Sequence, residues 1–337
     1  MINSLVTGGA GFIGSHLTRK LLSLGHNVII LDNLSGGLFE NIPKGAVFVR
    51  GDIQDRYCVR GLFEANKFDY VYHLAAYAAE GLSHYIRRFN YHNNVIGSIN
   101  IINDCIRYKV KRLIYTSSIA VYGHLSSFSF TEDSMVRPID PYGIAKLAVE
   151  QDIHAAHEMF GLEYTIFRPH NVYGEYQNIG DRYRNVVGIF MNQIMKTGVL
   201  TIFGDGSQTR AFSYVGDIID PIANCISYER AKNDIFNIGG NYSYSVLDLA
   251  HTLIKMTDKK GIRSSGIVFL PVRKEVLDAR AYHDKVRVVF GNLPSTPLEE
   301  GLAKMWKWAE KEGPKETPKF KDIELTEGLP EIWVKGE

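Results

Sequence analysis

Tyr142 and Lys146, four residues apart in Tyr142-Gly-Ile-Ala-Lys146, have the types and spacing of a proton-transfer pair. On a helix, positions i and i+4 share a face. A phenol with a free pKa near 10 becomes a usable base when adjacent positive charge stabilises the phenolate, and an ammonium one turn away offers that charge. Tyr228 and Lys232 share the spacing, so spacing alone selects nothing. Context does. Tyr142 follows Pro141 at a predicted helix start, and the strand-like run before it ends in Ser117-Ser118. A hydroxyl at Ser118 can share a substrate hydroxyl with Tyr142, completing a Ser/Tyr/Lys set that removes a proton as hydride leaves. The plainer reading of Ser118 is a serine bonding its own backbone.

The second constellation is a glycine turn. Gly8, Gly11 and Gly14, with Phe12 and Ile13 between them, follow an apolar run at the N-terminus and open an amphipathic stretch. Backbone N–H groups at such a strand–turn–helix junction hold a pyrophosphate. Asp32 ends the next strand-like run, where a carboxylate bonds a ribose diol and repels a 2′-phosphate. No Arg follows in Asp32-Asn33-Leu-Ser35-Gly36, so NAD is favoured over NADP. Gly51-Asp52-Ile53 suits either adenine contact or an acidic loop cap.

These residues need a scaffold, and the first half supplies one by alternating apolar runs with helical patterns. Strands are predicted at Ile2–Val6, Val28–Leu31, Val47–Val49, Tyr70–Leu74, Leu113–Thr116 and Tyr164–Phe167. Helices are predicted at Phe12–Leu24, Val59–Ala65, Asn94–Tyr108 and Ile144–Phe160. The expected fold is α/β, a doubly wound parallel sheet of Rossmann type with a smaller C-terminal substrate-binding α/β region. Residues 1–170 form the cofactor domain, joined again by about 211–240, where Ile235–Ile238 returns to the sheet. Residues 171–210 and 241–312 form the substrate domain, with helices at Val246–Met256, capped by Ser245, and Leu298–Lys311. From Gly313 the chain carries Pro314, Pro318 and many charges, and 313–337 is expected to be a loosely held extension.

Composition narrows the function classes. The 337 residues carry 38 Lys and Arg against 37 Asp and Glu, a net charge of +1, so no nucleic-acid partner is expected. There is no run of about 18 apolar residues for a membrane span and no basic, apolar leader, so a cytoplasmic protein is expected. Three cysteines without CxxC spacing offer neither a disulfide framework nor a thiolate metal site. His154 and His157 lack the companions of a metal motif, and no metal is expected.

The ordered motifs Thr7–Gly14, Asp32-Asn-Leu, Gly51-Asp-Ile, His73-Leu-Ala-Ala76, Ser117–Gly123, Pro141–Lys146 and Arg168-Pro-His-Asn171 resemble the extended short-chain dehydrogenase/reductases. More narrowly they resemble the nucleotide-sugar epimerases and dehydratases, above all the UDP-galactose 4-epimerase type. The resemblance runs to about residue 311. It implies further contacts to NAD from Asn33, Ser35, Gly36, Leu74, Ala75, Ala76, Asn93, Ser117 and His170. For a UDP-sugar it implies Asn171, Asn185, Val186, Thr201 and Phe203, with Arg210 and Arg273 on the diphosphate and Glu275 near the ribose. It also implies a homodimer paired through the helices at Asn94–Tyr108 and Ile144–Phe160.

Within that family the reaction is narrowed by absences. Related 4,6-dehydratases place an Asp-Glu pair where this chain has Ile119 and Ala120, and decarboxylases place Glu at Ala120. Related 3,5-epimerases use a Cys in a stretch that has none here. What remains is hydride transfer with one Tyr/Ser relay, a C4 epimerisation; a net-redox reductase or a non-catalytic NAD-binding relative are the alternatives. Three departures stand out. The loop Tyr77-Ala-Ala-Glu-Gly81 lacks the Lys that contacts cofactor in the family, His170 replaces an aromatic, and either Ala279 or Arg280 takes the place that gates sugar size.

Overall fold

The computed structural model describes residues 1–123, 129–262, 264–273 and 275–335. Seven strands form one parallel sheet: β1 (Asn3–Thr7), β2 (Asn27–Asp32), β3 (Val47–Arg50), β4 (Tyr70–His73), β5 (Arg112–Thr116), β6 (Tyr164–Pro169) and β7 (Asp234–Ile238). Their order is β7-β6-β5-β4-β1-β2-β3. Among the described residues eight longer helices accompany them: α1 (Phe12–Ser23), α2 (Arg56–Ala65), α3 (Gly97–Arg107), α4 (Pro141–Phe160), α5 (Val186–Lys196), α6 (Val215–Asn224), α7 (Val246–Asp258) and α8 (Leu298–Glu312).

Strand side chains alternate between faces, and both faces are covered. Leu5 joins a core with Val59 of α2, Ile101 of α3 and Val149 of α4. Its neighbour Val6 points the other way, to Leu17 of α1 and Ile218 of α6. The sheet is therefore doubly wound, as expected. Strand order reverses where β1 meets β4, and a crevice opens there at the strand C-termini, the usual ligand position in such sheets.

Local chemistry sets the element ends. The Asp140 carboxylate accepts from Gly143 N at 2.8 Å, and Pro141 takes the first turn of α4. That cap fixes where Tyr142 enters the helix. Ser245 caps α7 in a reciprocal box with Asp248. The stretch expected as one helix from Asn94 begins instead as a π-turn, His92–Ile96, before α3. Helix α6 has no counterpart among the expected elements. Its apolar residues Val215, Ile218, Ile219 and Ile222 have helical spacing, but Pro221 lies inside it and reads as a break.

A third core gathers Phe190 and Met191 of α5, Leu249 and Leu253 of α7, and Leu302, Met305 and Trp306 of α8. It stands over the C-terminal edge of the sheet. A two-stranded parallel pair, Val199–Phe203 with Gly266–Leu270, borders it.

The tail differs from expectation. After Gly313 it is pinned along its length. Asn192 and Lys315 exchange two hydrogen bonds of 2.8 and 3.0 Å. Arg182 donates to Thr317 O at 2.6 Å, and the Glu324 carboxylate accepts from Arg88 N and Phe89 N at 3.0 and 3.1 Å. Trp333 is buried among Ala79, Leu82, Ile86 and Tyr183. The density of charge in this segment masks the apolar residues Phe320, Ile323, Leu329, Ile332 and Trp333 that dock it.

Candidate active site

The crevice between the sheet edge and the third core is a cleft of about 440 Å³. At its floor the glycine turn passes from β1 into α1. Gly8 has φ of +71°, and a Cβ there would stand 2.8 Å from Ala75 N; one on Gly14 would stand 2.1 Å from Gly8 O. Only glycine permits this approach. Helix α1 begins at Gly11 without a side-chain cap or an acidic residue in its first turn. Its leading N–H groups and positive end are thus left for an anion.

Asp32, at the end of β2, accepts from Ala10 N at 3.1 Å and from Leu34 N at 2.8 Å. Burial pushes its pKa up, and these N–H donors pull it back. Asn33, Ser35, Gly36, Ile53, Leu74, Ala75, Ala76, Asn93, Phe12 and Ile13 line the same cleft. Ser117 lines it with a buried hydroxyl that has no protein partner. A carboxylate above an uncapped helix start, with an orphaned hydroxyl beyond, fits a dinucleotide.

Two residues expected at the cofactor stand elsewhere. Asp52 does not line the cleft; its carboxylate accepts from Asn33 Nδ2 and Gln54 N, both at 2.8 Å, so of its two readings the loop cap is the one observed. His170 is also outside. It is buried, stacked on His283 with ring centres 5.0 Å apart, and bonded through Nδ1 to Ala211 O at 2.8 Å. His170 lies just past the end of β6, and the next residue, Asn171, has φ of +41° and does line the cleft.

Ser118, Tyr142 and Lys146 converge on the cleft wall. Lys146 Nζ donates to Thr116 O at 2.7 Å and stands 5.9 Å from the Tyr142 ring centre. Burial lowers the Lys146 pKa to about 7, against a smaller upward pull from Glu150. Ser118 Oγ accepts from Ala120 N at 3.1 Å, and its hydroxyl holds the Tyr142 pKa down. In the chain alone, however, the Tyr142 phenol is raised, first by burial and then by the Glu80 carboxylate. The expected lowering by Lys146 is not what governs it, because desolvation disfavours phenolate and ammonium alike. Behind this wall His73 accepts or donates between Thr7 Oγ1 and Ser98 Oγ, at 2.7 and 2.8 Å, with its pKa lowered by burial to about 3. It fixes the β1–β4 spacing as a neutral ring.

The far end of the cleft is lined by Asn171, Asn185, Val186, Thr201, Phe203, Arg210, Arg273 and Glu275. Asn185 precedes α5 with φ of +59° and makes no cap bond of its own. Glu275 receives both arginines, Arg210 Nη2 at 3.0 Å and Arg273 Nη2 at 3.2 Å. Two guanidiniums share one carboxylate, leaving positive charge for a diphosphate. Arg273 also lies over the Phe203 ring, 4.6 Å from its centre. The side chain of Ala279 and residue Lys274 lie outside what the structure describes; Arg280 is not among the described lining residues.

Among the other residues that line the cleft are Glu80, Asp140, Gln177 and Arg184. Gln177 is buried with both amide atoms unpartnered. Glu80 has its pKa raised to about 7, first by burial and then by Asp140. No motif announces them, since they come from loops whose course only the fold decides.

This fold and site define a dinucleotide-dependent class of protein: a Rossmann sheet, a carboxylate at the end of β2 and a Ser/Tyr/Lys wall facing paired arginines. Residues 4–239 match the model of the NAD dependent epimerase/dehydratase family. The chain is 37% identical over 309 residues to a putative UDP-glucose 4-epimerase of Methanocaldococcus jannaschii, covering 90% of this chain and 97% of that one. It superimposes on the Thermotoga maritima UDP-glucose 4-epimerase with UDP-glucose at a TM-score of 0.86 and 34% identity, covering 92% and 99%. The Thermus thermophilus UDP-glucose 4-epimerase in complex with NAD matches at a TM-score of 0.85 and 28% identity, covering 91% and 98%. The chain belongs to the NAD-dependent epimerase/dehydratase family, and NAD is its cofactor.

Proposed function

We propose that this protein is an NAD-dependent nucleotide-sugar 4-epimerase, inverting C4 of a UDP-hexose through a transient 4-keto sugar. The observation that carries the reading is the convergence of Ser118, Tyr142 and Lys146 on a cleft whose far end holds Arg210 and Arg273. The clamp takes the diphosphate, so the sugar lies toward the phenol. Thr201, Phe203, Asn185 and Val186 border the base and ribose; Asn171 faces the sugar. When bound, NAD supplies a two-electron acceptor that takes a hydride and returns it, and its cationic ring adds the charge that Tyr142 lacks in the chain alone.

The side chains handle the proton. Tyr142 removes it from the C4 hydroxyl, Ser118 shares that hydroxyl, and the Lys146 ammonium, tethered to Thr116 O, favours the phenolate. The proton returns to C4 oxygen after the sugar has turned over about its diphosphate link. Binding energy concentrated on the nucleotide leaves the sugar free to turn. Ile119 and Ala120 hold the places where an elimination needs an acid and a base, which favours epimerisation over dehydration.

Residues 1–170 with 211–240 are assigned to the cofactor and 171–210 with 241–312 to the nucleotide sugar. A homodimer in the cytoplasm is part of the same reading; Ile96 and Ile144 are exposed apolar residues on the two helical stretches that would pair. No helix among the described residues is long and apolar enough to cross a membrane. The test is incubation with UDP-glucose, UDP-N-acetylglucosamine and UDP-glucuronate, each resolved for its C4 epimer by chromatography. Interconversion of one without added NADH supports the reading. A requirement for stoichiometric NADH moves it to a net-redox reductase, and inertness toward all three defeats it.

A further inference from the structure

Four cations line the cleft among the described residues: Lys146, Arg184, Arg210 and Arg273. Lys146 is spent on Thr116 O, and the other two clamp arginines meet on Glu275 at the far end. Arg184 stands apart from them. It comes from the loop before α5, in the substrate half, yet its guanidinium reaches the opposite wall. Nη2 and Nη1 lie 3.1 and 3.5 Å from the point that a Cβ on Gly36 would occupy. The next residue, Gly37, packs directly on the phosphate turn, its own Cβ position 2.9 Å from Gly11 N. One guanidinium is therefore set beside the uncapped start of α1.

Its placement is not accidental side-chain drift. Nε and Nη2 hold Asp181 at 2.7 and 2.5 Å, and the planar group rests 4.7 Å above the Tyr77 ring. A fork fixed on one edge by a carboxylate and on one face by an aromatic ring loses little further freedom on meeting a ligand. Burying a guanidinium in a cleft is unfavourable unless its charge is answered, and Asp181 answers it only once. The loop Tyr77–Gly81 beneath it carries no cation of its own, while the dinucleotide adds two phosphate charges here.

We infer that Arg184 is a positioning residue for the NAD diphosphate, delivered across the cleft from the loop before α5 and holding the cofactor in place. The ligand group is a phosphate oxyanion at the start of α1, and the guanidinium edge facing Gly36 is its donor. This ties cofactor retention to an element that binds no cofactor in the remainder of its length.

The test measures NAD release from purified holoenzyme after dilution, followed by chromatography of the freed dinucleotide. Arg184→Met is expected to speed release by about tenfold or more, the loss of one charge-assisted contact. Arg184→Lys, which keeps the charge but not the fork, falls between it and the parent. Gly36→Ala pushes a methyl against Nη2 and is expected to speed release by about threefold, so the inference is still tested if Arg184→Met does not fold. Unchanged release in the Met or the Ala variant overturns it. Because NAD release is read without sugar, its outcome is separate from whether any UDP-sugar is the substrate.

Discussion

The two walls of the cleft are built on different principles. The cofactor wall is backbone and rigid elements: a glycine turn, a helix start without a cap, and side chains at the ends of β2, β4 and β5 whose strands are paired on both sides. The substrate wall is side chain. Asn185, Phe203, Arg210 and Arg273 come from four separate segments, the two arginines meet through Glu275, and the tail leans on this wall through Trp333, whose ring lies 6.3 Å from that of Phe203. A wall of backbone has one geometry. A wall of long side chains can rearrange, which suits a sugar that must present both faces to one phenol.

The sharpest way to separate the walls is to disarm one without touching the other. Tyr142→Phe removes the proposed base and leaves the glycine turn, Asp32 and the arginine pair intact. Epimerisation is expected to fall by about 10³-fold, within the range for loss of a positioned general base, while the purified variant retains its NAD. Normal turnover would move the chemistry to another residue.

The tail is the next largest lever, and it braces both the substrate wall and the segment after β4. Trp333→Ala deletes a nearly fully buried ring from a cluster that spans Leu82, Tyr183 and the tail. About 3 kcal/mol is expected from such a truncation. The tail can detach on its own, so hydrogen exchange is expected to rise first over 313–335 rather than over the sheet. A uniform rise through β1–β6 would show instead that the tail and sheet unfold as one unit.

Within the clamp, Arg273→Ala leaves Glu275 with a single guanidinium. KM for the nucleotide sugar is expected to rise by about tenfold to a hundredfold, as for a charge-assisted contact, with kcat changed far less because Tyr142 and Ser118 are untouched. An equal fall in kcat would mean that Arg273 also orients the reacting carbon.

The same division decides what the sequence reveals. The cofactor wall is legible because its parts are local: the glycine turn and Asp32 lie on consecutive elements, and Tyr142 and Lys146 on one helix, so spacing carries geometry. The substrate wall is legible only where a motif transfers, as at Asn185 or Arg273. Gln177 comes from the loop before α5, whose course along the cleft is a long-range arrangement no local pattern encodes. His170 shows the opposite failure. It sits in a motif, but just past the end of β6 its ring packs on His283 rather than lining the cleft. The tail fails by composition, since its charges outnumber the few apolar residues that dock it.

Lys146 shows what the cofactor wall gives up in stability to carry out chemistry. Its ammonium is buried, and its folded pKa near 7 lies well below the ordinary value of 10.5. Between those values the unfolded chain binds more protons than the folded one, so the NAD-free protein should gain stability as pH rises from about 7 toward 10.5. Below pH 7 the destabilisation is fully present. Lys146→Met removes the titrating group while filling the same space. At pH 7 the NAD-stripped variant is expected to melt a few degrees above the parent, the advantage shrinking toward pH 10, although it no longer turns over substrate. A variant that melts lower at pH 7 would mean that the bond to Thr116 O outweighs desolvation, making Lys146 a stabilising element as well as a functional one.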